Sequence, residues 1–305
     1  MKELSGKIAV ITGGGTGMGR ELAKQLTAEG CDIAICDVST DHMQETLSLC
    51  SVEAAQGVRM ASFKCDVSSQ EDMNDFANYV QSEFATNHIN LLFNNAGVAG
   101  GGSFLKEERA TWERTFNVCW GGVYNGSRAF MPLLVNSSEG HIVNTSSVNG
   151  FWASAGPDAA HTAYSAAKFA VKGFTEALIT DLRLNAPHVN ASVVMPGHVG
   201  TSIVLNGTGQ GDDQGNRTVA RMMSMPVDDM SQEDVDAAIA MAGESFRDNA
   251  PTTAQEAAAI MIQAVRDNRW RVLVGKDAER LDAAVRADPE EAYEPAFRQF
   301  YSAED

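Results

Sequence analysis

The 305-residue sequence is short of paired cysteines and of basic side chains, and no apolar run is long enough to span a bilayer. Its five cysteines, Cys31, Cys36, Cys50, Cys65 and Cys119, are odd in number, widely spaced and without a C-x-x-C pair. That excludes a disulfide framework and a zinc site, so no metal is expected, and it predicts reduced, mostly buried thiols. The opening residues MKELSGKIAVITGGG have no apolar signal region, and the expectation is a cytoplasmic protein. Lys and Arg number 23 against 40 Asp and Glu, a net charge of −17. This balance disfavours nucleic acid, whose affinity rests on basic side chains, and anionic membrane surfaces. Half of the acids follow residue 200, so the charge belongs mostly to the tail. Internal repeats and low-complexity tracts are also missing.

What is present is a rhythm. Short apolar runs at 7–12, 32–37, 58–65, 89–94, 140–146 and 190–196 alternate with amphipathic stretches at about 17–30, 40–56, 69–87, 107–136 and 158–186. A seventh strand is expected at 269–275, after a helix at about 253–267. This predicts an α/β fold, a doubly wound parallel sheet with helices on both faces. Residues 201–252 break the rhythm. A polar, Gly-rich loop at 205–217 precedes segments carrying Met222, Met223, Met225, Met230 and Met241. A helical tail is expected over 276–305, within a single domain spanning 1–305.

The stretch TGGGTGMG, Thr12 to Gly19, follows the first strand and opens a helix. Its glycines allow a tight turn and close backbone approach, and the helix N-terminus stabilises a pyrophosphate. The second strand ends in Asp37, eighteen residues beyond Gly19. An acid there accepts bonds from both hydroxyls of an adenosine ribose and repels a 2′-phosphate. Neither Thr16 nor Val38 is basic, so NAD is favoured over NADP. The alternative reading of Asp37 is a helix cap, a task open to Ser39 or Thr40.

In HTAYSAAKFA, Tyr164 and Lys168 stand four apart, neighbours on one helix face. A cation beside a phenol favours the phenolate, which suits a general base. The alternative is that Tyr164 packs and Lys168 is solvated.

Taken in order, TGGGTGMG, CDVS (65–68), NNAG (94–97), Asn117 in FNV, NTSSVNG (144–150), YSAAK (164–168) and PGHVGT (196–201) resemble the single-domain branch of the short-chain dehydrogenase/reductase family. The resemblance covers about residues 5–201 and implies a Rossmann-type fold. It implies that Tyr164 is the catalytic base, that Lys168 holds the nicotinamide ribose and lowers the Tyr164 pKa, and that Ser147 bonds the substrate oxygen. Asn117 matches the residue that kinks its helix and anchors a relay water. Thr12, Gly13, Gly15, Thr16, Gly17, Met18 and Gly19 match the pyrophosphate turn, and Asp37 and Val38 the ribose end. Asp66 and Val67 match positions beside the adenine, and Asn94, Ala96 and Gly97 a turn lining the cofactor. Pro196, Gly197, Val199 and Thr201 match the loop around the carboxamide.

Two departures concern the substrate. The chain between Ser147 and Tyr164 is longer than usual, and the last strand lacks a glycine pair and runs into a tail. Asn149, Phe151, Trp152, His161 and His198 are expected near the pocket, with Phe151 and Trp152 equally suited to core. With the Met-rich segment, Phe151 and Trp152 suggest an apolar secondary alcohol or ketone as partner. The segment is expected to cover the substrate as a lid with an inner methionine face, and Asp228, Asp229, Glu233 and Asp234 outside. A homo-oligomer, a tetramer or dimer, is implied through helices at 107–136 and 158–186. Competing readings are an NADP-linked carbonyl reductase, a nucleotide-sensing binding protein and a scaffold without turnover.

Overall fold

The computed structural model describes residues 1–154, 160–207, 220 and 230–297. Its main sheet is built from β1 (Ile8–Thr12), β2 (Asp32–Asp37), β3 (Met60–Lys64), β4 (Leu91–Asn94), β5 (Gly140–Thr145) and β6 (Val189–Pro196). Two short strands, β7 (Val199–Gly200) and β8 (Thr252–Thr253), pair with each other alone. A last strand, β9 (Arg271–Val274), completes a seven-stranded sheet in the order β3-β2-β1-β4-β5-β6-β9. Every pairing in it is parallel. Every residue of β1, β4 and β5 is buried, as a sheet covered on both faces requires.

The helices are α1 (Gly17–Ala28), α2 (Thr40–Glu53), α3 (Gln70–Glu83), α4 (Arg109–Phe116), α5 (Gly122–Val135), α6 (Thr162–Asn185), α7 (Ile203–Gly207), α8 (Gln232–Asp248), α9 (Ala254–Arg266) and α10 (Lys276–Ala287). Leu22 and Leu26 of α1 meet Met261, Ile262 and Val265 of α9 on one face, over Ile33 and Ile35. On the other face Phe76 and Val80 of α3, Phe130 and Leu134 of α5, and Leu178 and Leu182 of α6 pack over Leu92 and Ile142. Hydroxyls start several helices: Ser39, Ser69 and Ser231 each accept an amide from the first turn, and Thr253 forms a reciprocal capping pair with Glu256.

Chain order reverses on either side of β1, which leaves a crevice at the carboxyl ends of β1 and β4. One helix is broken where the resemblance implies a kink, at Asn117. The helix read at 107–136 is interrupted by a π-helical turn at Asn117–Gly121. Just beyond it, Gly122 lies against Val67, where a Cβ would stand 2.7 Å from Cγ2, so the wider turn lets the helix approach the β3–α3 connection.

Candidate active site

The turn between β1 and α1 sits in this crevice. Gly13 has φ +66°, and a Cβ there would meet the Ala96 Cα at 2.9 Å. A Cβ on Gly19 would strike the Gly13 carbonyl oxygen. Gly17 faces the Thr201 side chain, and Met18 is half-buried against the core. Thr16 precedes α1 in extended geometry, leaving the first-turn amides without intrahelical partners. Thr12 Oγ1 accepts from the amides of Asn95 (3.0 Å) and Ala96 (3.1 Å), fastening the turn after β4 to β1. Asn94 is buried and donates to Asn144 Oδ1 at 2.8 Å, a bond that stiffens the sheet behind the crevice.

Asp37 accepts from the Gly15 amide (3.0 Å) with one carboxylate oxygen and from the Ser39 amide (3.1 Å) with the other. Val38 beside it is 53% exposed. Arg20, on the first turn of α1, donates to the Gly15 carbonyl (2.7 Å) and to Thr46 Oγ1 (3.1 Å), and pairs with Glu45. Asp66 accepts from the Ser68 amide and hydroxyl, while Val67 is buried and its carbonyl accepts from Asn125 at 3.0 Å. A glycine cradle that one Cβ would fill, a helix N-terminus and a strand-end acid fit a dinucleotide.

The second cluster lies across the crevice. Tyr164 and Lys168 share one face of α6, with the Lys168 ammonium 5.3 Å from the centre of the phenol ring. Lys168 Nζ donates to the Thr145 carbonyl at 2.8 Å, and Ser146 Oγ donates to the Lys168 carbonyl at 2.7 Å, locking α6 to the end of β5. Ser147 influences the Tyr164 phenol, and its hydroxyl accepts from the Asn149 amide at 3.2 Å. Gly97 is close enough that a Cβ there would lie 3.6 Å from Lys168 Nζ. Asn117 opens the π-helical turn with an exposed side chain, and its carbonyl accepts from the Gly122 amide.

Burial pushes the Tyr164 phenol well above its ordinary range, the Cys119 thiol pushes the same way, and the Ser147 bond pulls it down. Burial likewise depresses Lys168. In the chain by itself desolvation therefore dominates the phenol. Cys119, which sequence reasoning left among structural thiols, lies in the π-helical turn beside Gly97.

Beyond β6, Gly197 donates to the Val274 carbonyl at 3.0 Å and Val199 enters β7, which returns Thr201 to the glycine turn. Asp277, unremarked in the sequence, accepts from the His198 amide at 2.6 Å and fills the space beside Gly197, after Pro196. Its signal is an acid in the first turn of α10, which stabilises a helix start as well.

The expected pocket residues part company. His198 is held by the Phe246 carbonyl at 2.7 Å and packs against that tilted ring with centres 4.1 Å apart, so it joins α8 to the loop and is not a free wall. Trp152 is buried beneath the tail, donating to the Ala292 carbonyl at 2.7 Å and packing on Phe297, with Phe151 against the same cluster. They are core, the second of the two readings. Asn149 donates to the carbonyls of Trp152 (3.2 Å) and Ser154 (2.7 Å) and ties this core to Ser147. His161 stacks on Tyr164, ring centres 4.6 Å apart and planes 8° apart.

Comparison with known proteins decides the family, for the short chain dehydrogenase family matches residues 7–209. The chain belongs to the short-chain dehydrogenases. A Mycobacterium tuberculosis relative, SadH, named provisionally as an oxidoreductase, is 36% identical over 287 residues, 94% of this chain and 92% of its own. The short-chain dehydrogenase/reductase family 16C member 6 of Bos taurus is 30% identical over 203 residues, 66% of this chain and 62% of its own. A short-chain dehydrogenase/reductase from Burkholderia phymatum, solved in complex with NAD, superposes with a TM-score of 0.75 at 29% identity, covering 95% of each chain. This short-chain dehydrogenase is thus an oxidoreductase acting on CH–OH groups with a nicotinamide dinucleotide as acceptor.

In this short-chain dehydrogenase α7 takes in 205–207 of the expected loop at 205–217, whose remaining residues lie outside the described ones, and Asn206 of α7 donates to Thr16 Oγ1 at 3.1 Å. Met230 packs with Val204, Ala220, Val235 and Ile239. Met241 is 73% exposed, which corrects its place on an inner face, because α8 turns that position to solvent. Glu233 and Asp234 are exposed in the first turn of α8, while Met222, Met223, Met225, Asp228 and Asp229 lie outside the described residues. The tail is α10 followed by single turns at Glu291–Tyr293 and Pro295–Phe297.

Proposed function

We propose that this enzyme interconverts a secondary alcohol and its ketone with NAD, using Tyr164 as general acid–base. The observation that carries the reading is the meeting of Ser147, Tyr164 and Lys168 at the crevice mouth, with the Lys168 ammonium 5.3 Å from the phenol ring and bonded to the end of β5. Thr12 to Gly19 would hold the pyrophosphate, Asp37 the adenosine ribose, Asp66 and Val67 the adenine side, and Pro196 to Thr201 the carboxamide end. The cofactor supplies the hydride acceptor. Tyr164 takes the alcohol proton at its phenolic oxygen, and Ser147 holds the substrate oxygen by hydrogen bonding. Lys168 contributes positive charge that, with that of an oxidised nicotinamide, draws the phenol down from its raised pKa. Asn117, by opening the widened turn, anchors a water for onward proton relay.

NAD is preferred to NADP because Asp37 repels a 2′-phosphate and Arg20 is engaged by Gly15, Thr46 and Glu45. The segment at 201–252 covers the substrate, supported by the contacts of Thr201 and Asn206 with the glycine turn. Its Val204, Ala220, Val235 and Ile239 cluster favours an apolar body on the substrate. Exposed Tyr124 on α5 and Phe169 on α6 support a homo-oligomer through those helices, in the cytoplasm.

A screen of secondary alcohols with NAD⁺ and NADP⁺, read as absorbance of the reduced cofactor, tests the reading. Turnover is expected with NAD⁺ and should fall by about 10²–10⁴-fold in Tyr164→Phe, with the fold retained. Retained turnover in that variant would overturn the mechanism.

A further inference from the structure

We propose that His161 is a substrate-binding residue that selects alcohols and ketones bearing a second, uncharged hydrogen-bonding group on a neighbouring carbon. The inference rests on the alcohol–ketone reading above and deepens it.

Both ring nitrogens of His161 are buried, and neither has a hydrogen-bond partner among the described residues. The other histidines removed from full exposure are all engaged. His88 meets Thr86, His141 meets Ser192, His188 meets the Val135 carbonyl and His198 the Phe246 carbonyl. A buried polar atom without a partner costs about 1–3 kcal/mol. Stacking on Tyr164 does not recover that cost, because a phenylalanine would present the same flat face without the unmet nitrogens. A partner from outside the chain accounts for the imidazole, and the nearest place for one is the site of Tyr164.

The chemistry of the ring narrows the partner. Burial depresses its pKa to about 4, so near neutral pH it is uncharged, with one donor and one acceptor nitrogen. Such a ring suits a hydroxyl or carbonyl, which match a donor or an acceptor. A carboxylate would call for a cation and is selected against. The stack, 4.6 Å between ring centres, puts the imidazole beside the phenol that receives the reacting oxygen. The second group then belongs on the carbon next to the reacting one, as in a vicinal hydroxyketone, diketone or diol. The apolar body proposed above stands, with a polar pair at its reacting end.

The test compares cyclohexanone with 2-hydroxycyclohexanone and 1,2-cyclohexanedione, and cyclohexanol with 1,2-cyclohexanediol, as kcat/KM ratios. Wild type is expected to prefer the difunctional member of each pair. In His161→Phe, which keeps the stacked ring, that ratio should fall by about tenfold, the worth of a lost hydrogen bond. His161→Gln, which keeps a donor and an acceptor, should retain part of it. Quenching of tryptophan fluorescence by NADH verifies that each variant is folded. A wild-type ratio near one, or an unchanged ratio in a folded His161→Phe, overturns the inference and leaves the dehydrogenase reading standing. Absence of wild-type turnover on every member with either cofactor overturns both.

Discussion

Lys168 gives its ammonium to the Thr145 carbonyl over 2.8 Å, while the Tyr164 ring lies 5.3 Å from the same nitrogen. The cation is fixed to the strand end, and in the proposed mechanism it acts on the phenol through space. Burial raises the phenol, so in the proposed mechanism positive charge is needed to bring it into use. A base works deprotonated, and alcohol oxidation should therefore rise with pH through the Tyr164 pKa. Replacing Lys168 by Met removes the cation and should move that rising limb to higher pH. The pH profile of kcat/KM is the measurement, and an unmoved limb would show that Lys168 does not tune the phenol.

The two bonds accepted by Asp37 join the glycine turn to the end of β2. Changing Asp37 to Ser removes the repulsion of a 2′-phosphate and one charge-assisted ribose contact, worth about 1.5–3 kcal/mol. The NAD⁺ to NADP⁺ ratio of kcat/KM should fall roughly ten- to a hundredfold. A wild type that already prefers NADP⁺ would remove the ribose assignment.

The Asn206–Thr16 bond places the start of the 201–252 segment on the pyrophosphate turn. Protease cleavage within that segment should slow when NAD⁺ and a substrate analogue are both present. Equal rates with and without saturating ligands would leave it as static packing.

Trp152 bonds to Ala292, the Ala153 amide bonds to the Tyr293 hydroxyl at 3.0 Å, and Asn149 passes the connection to Ser147. Trp152→Phe leaves the Ala292 carbonyl unpaired, a loss of about 1–3 kcal/mol. Calorimetry should show a lower Tm, and kcat should fall as the Ser147 turn loosens. A lower Tm with unaltered kcat would make the tail a purely structural brace.

Buried His141 titrates near 3 in the fold, depressed by burial and then by the N-terminal ammonium, against 6.5 when free. Between those values the unfolded chain binds the extra proton, so stability should drop as pH falls below 6.5. By pH 5 this one residue accounts for about 2 kcal/mol. His141→Gln should lose less stability than wild type between pH 7 and 5 in denaturant titrations. Parallel loss in the two proteins would rule out His141 as the source.

The sheet was legible because its strands are short runs buried on both faces, and Gly13 and Gly19 announce the turn by residues that leave no room for a side chain. Tyr164 and Lys168 were legible from spacing along one helix. The balance of charge on the phenol was not, because it depends on burial by elements far away in sequence. The contacts that redefine the pocket were equally hidden: Trp152 meets a residue 140 positions on, and His198 meets Asp277 across 79. The π-helical turn at Asn117 has no apolar period of its own, and only the resemblance pointed to a kink there.

The ladder joining Val199–Gly200 to Thr252–Thr253 pins together the two ends of everything between them. Closing a longer or shorter stretch across fixed ends alters the entropy only logarithmically, about 0.6 kcal/mol per doubling. The intervening chain can therefore change in length at small entropic cost while the sheet keeps its register.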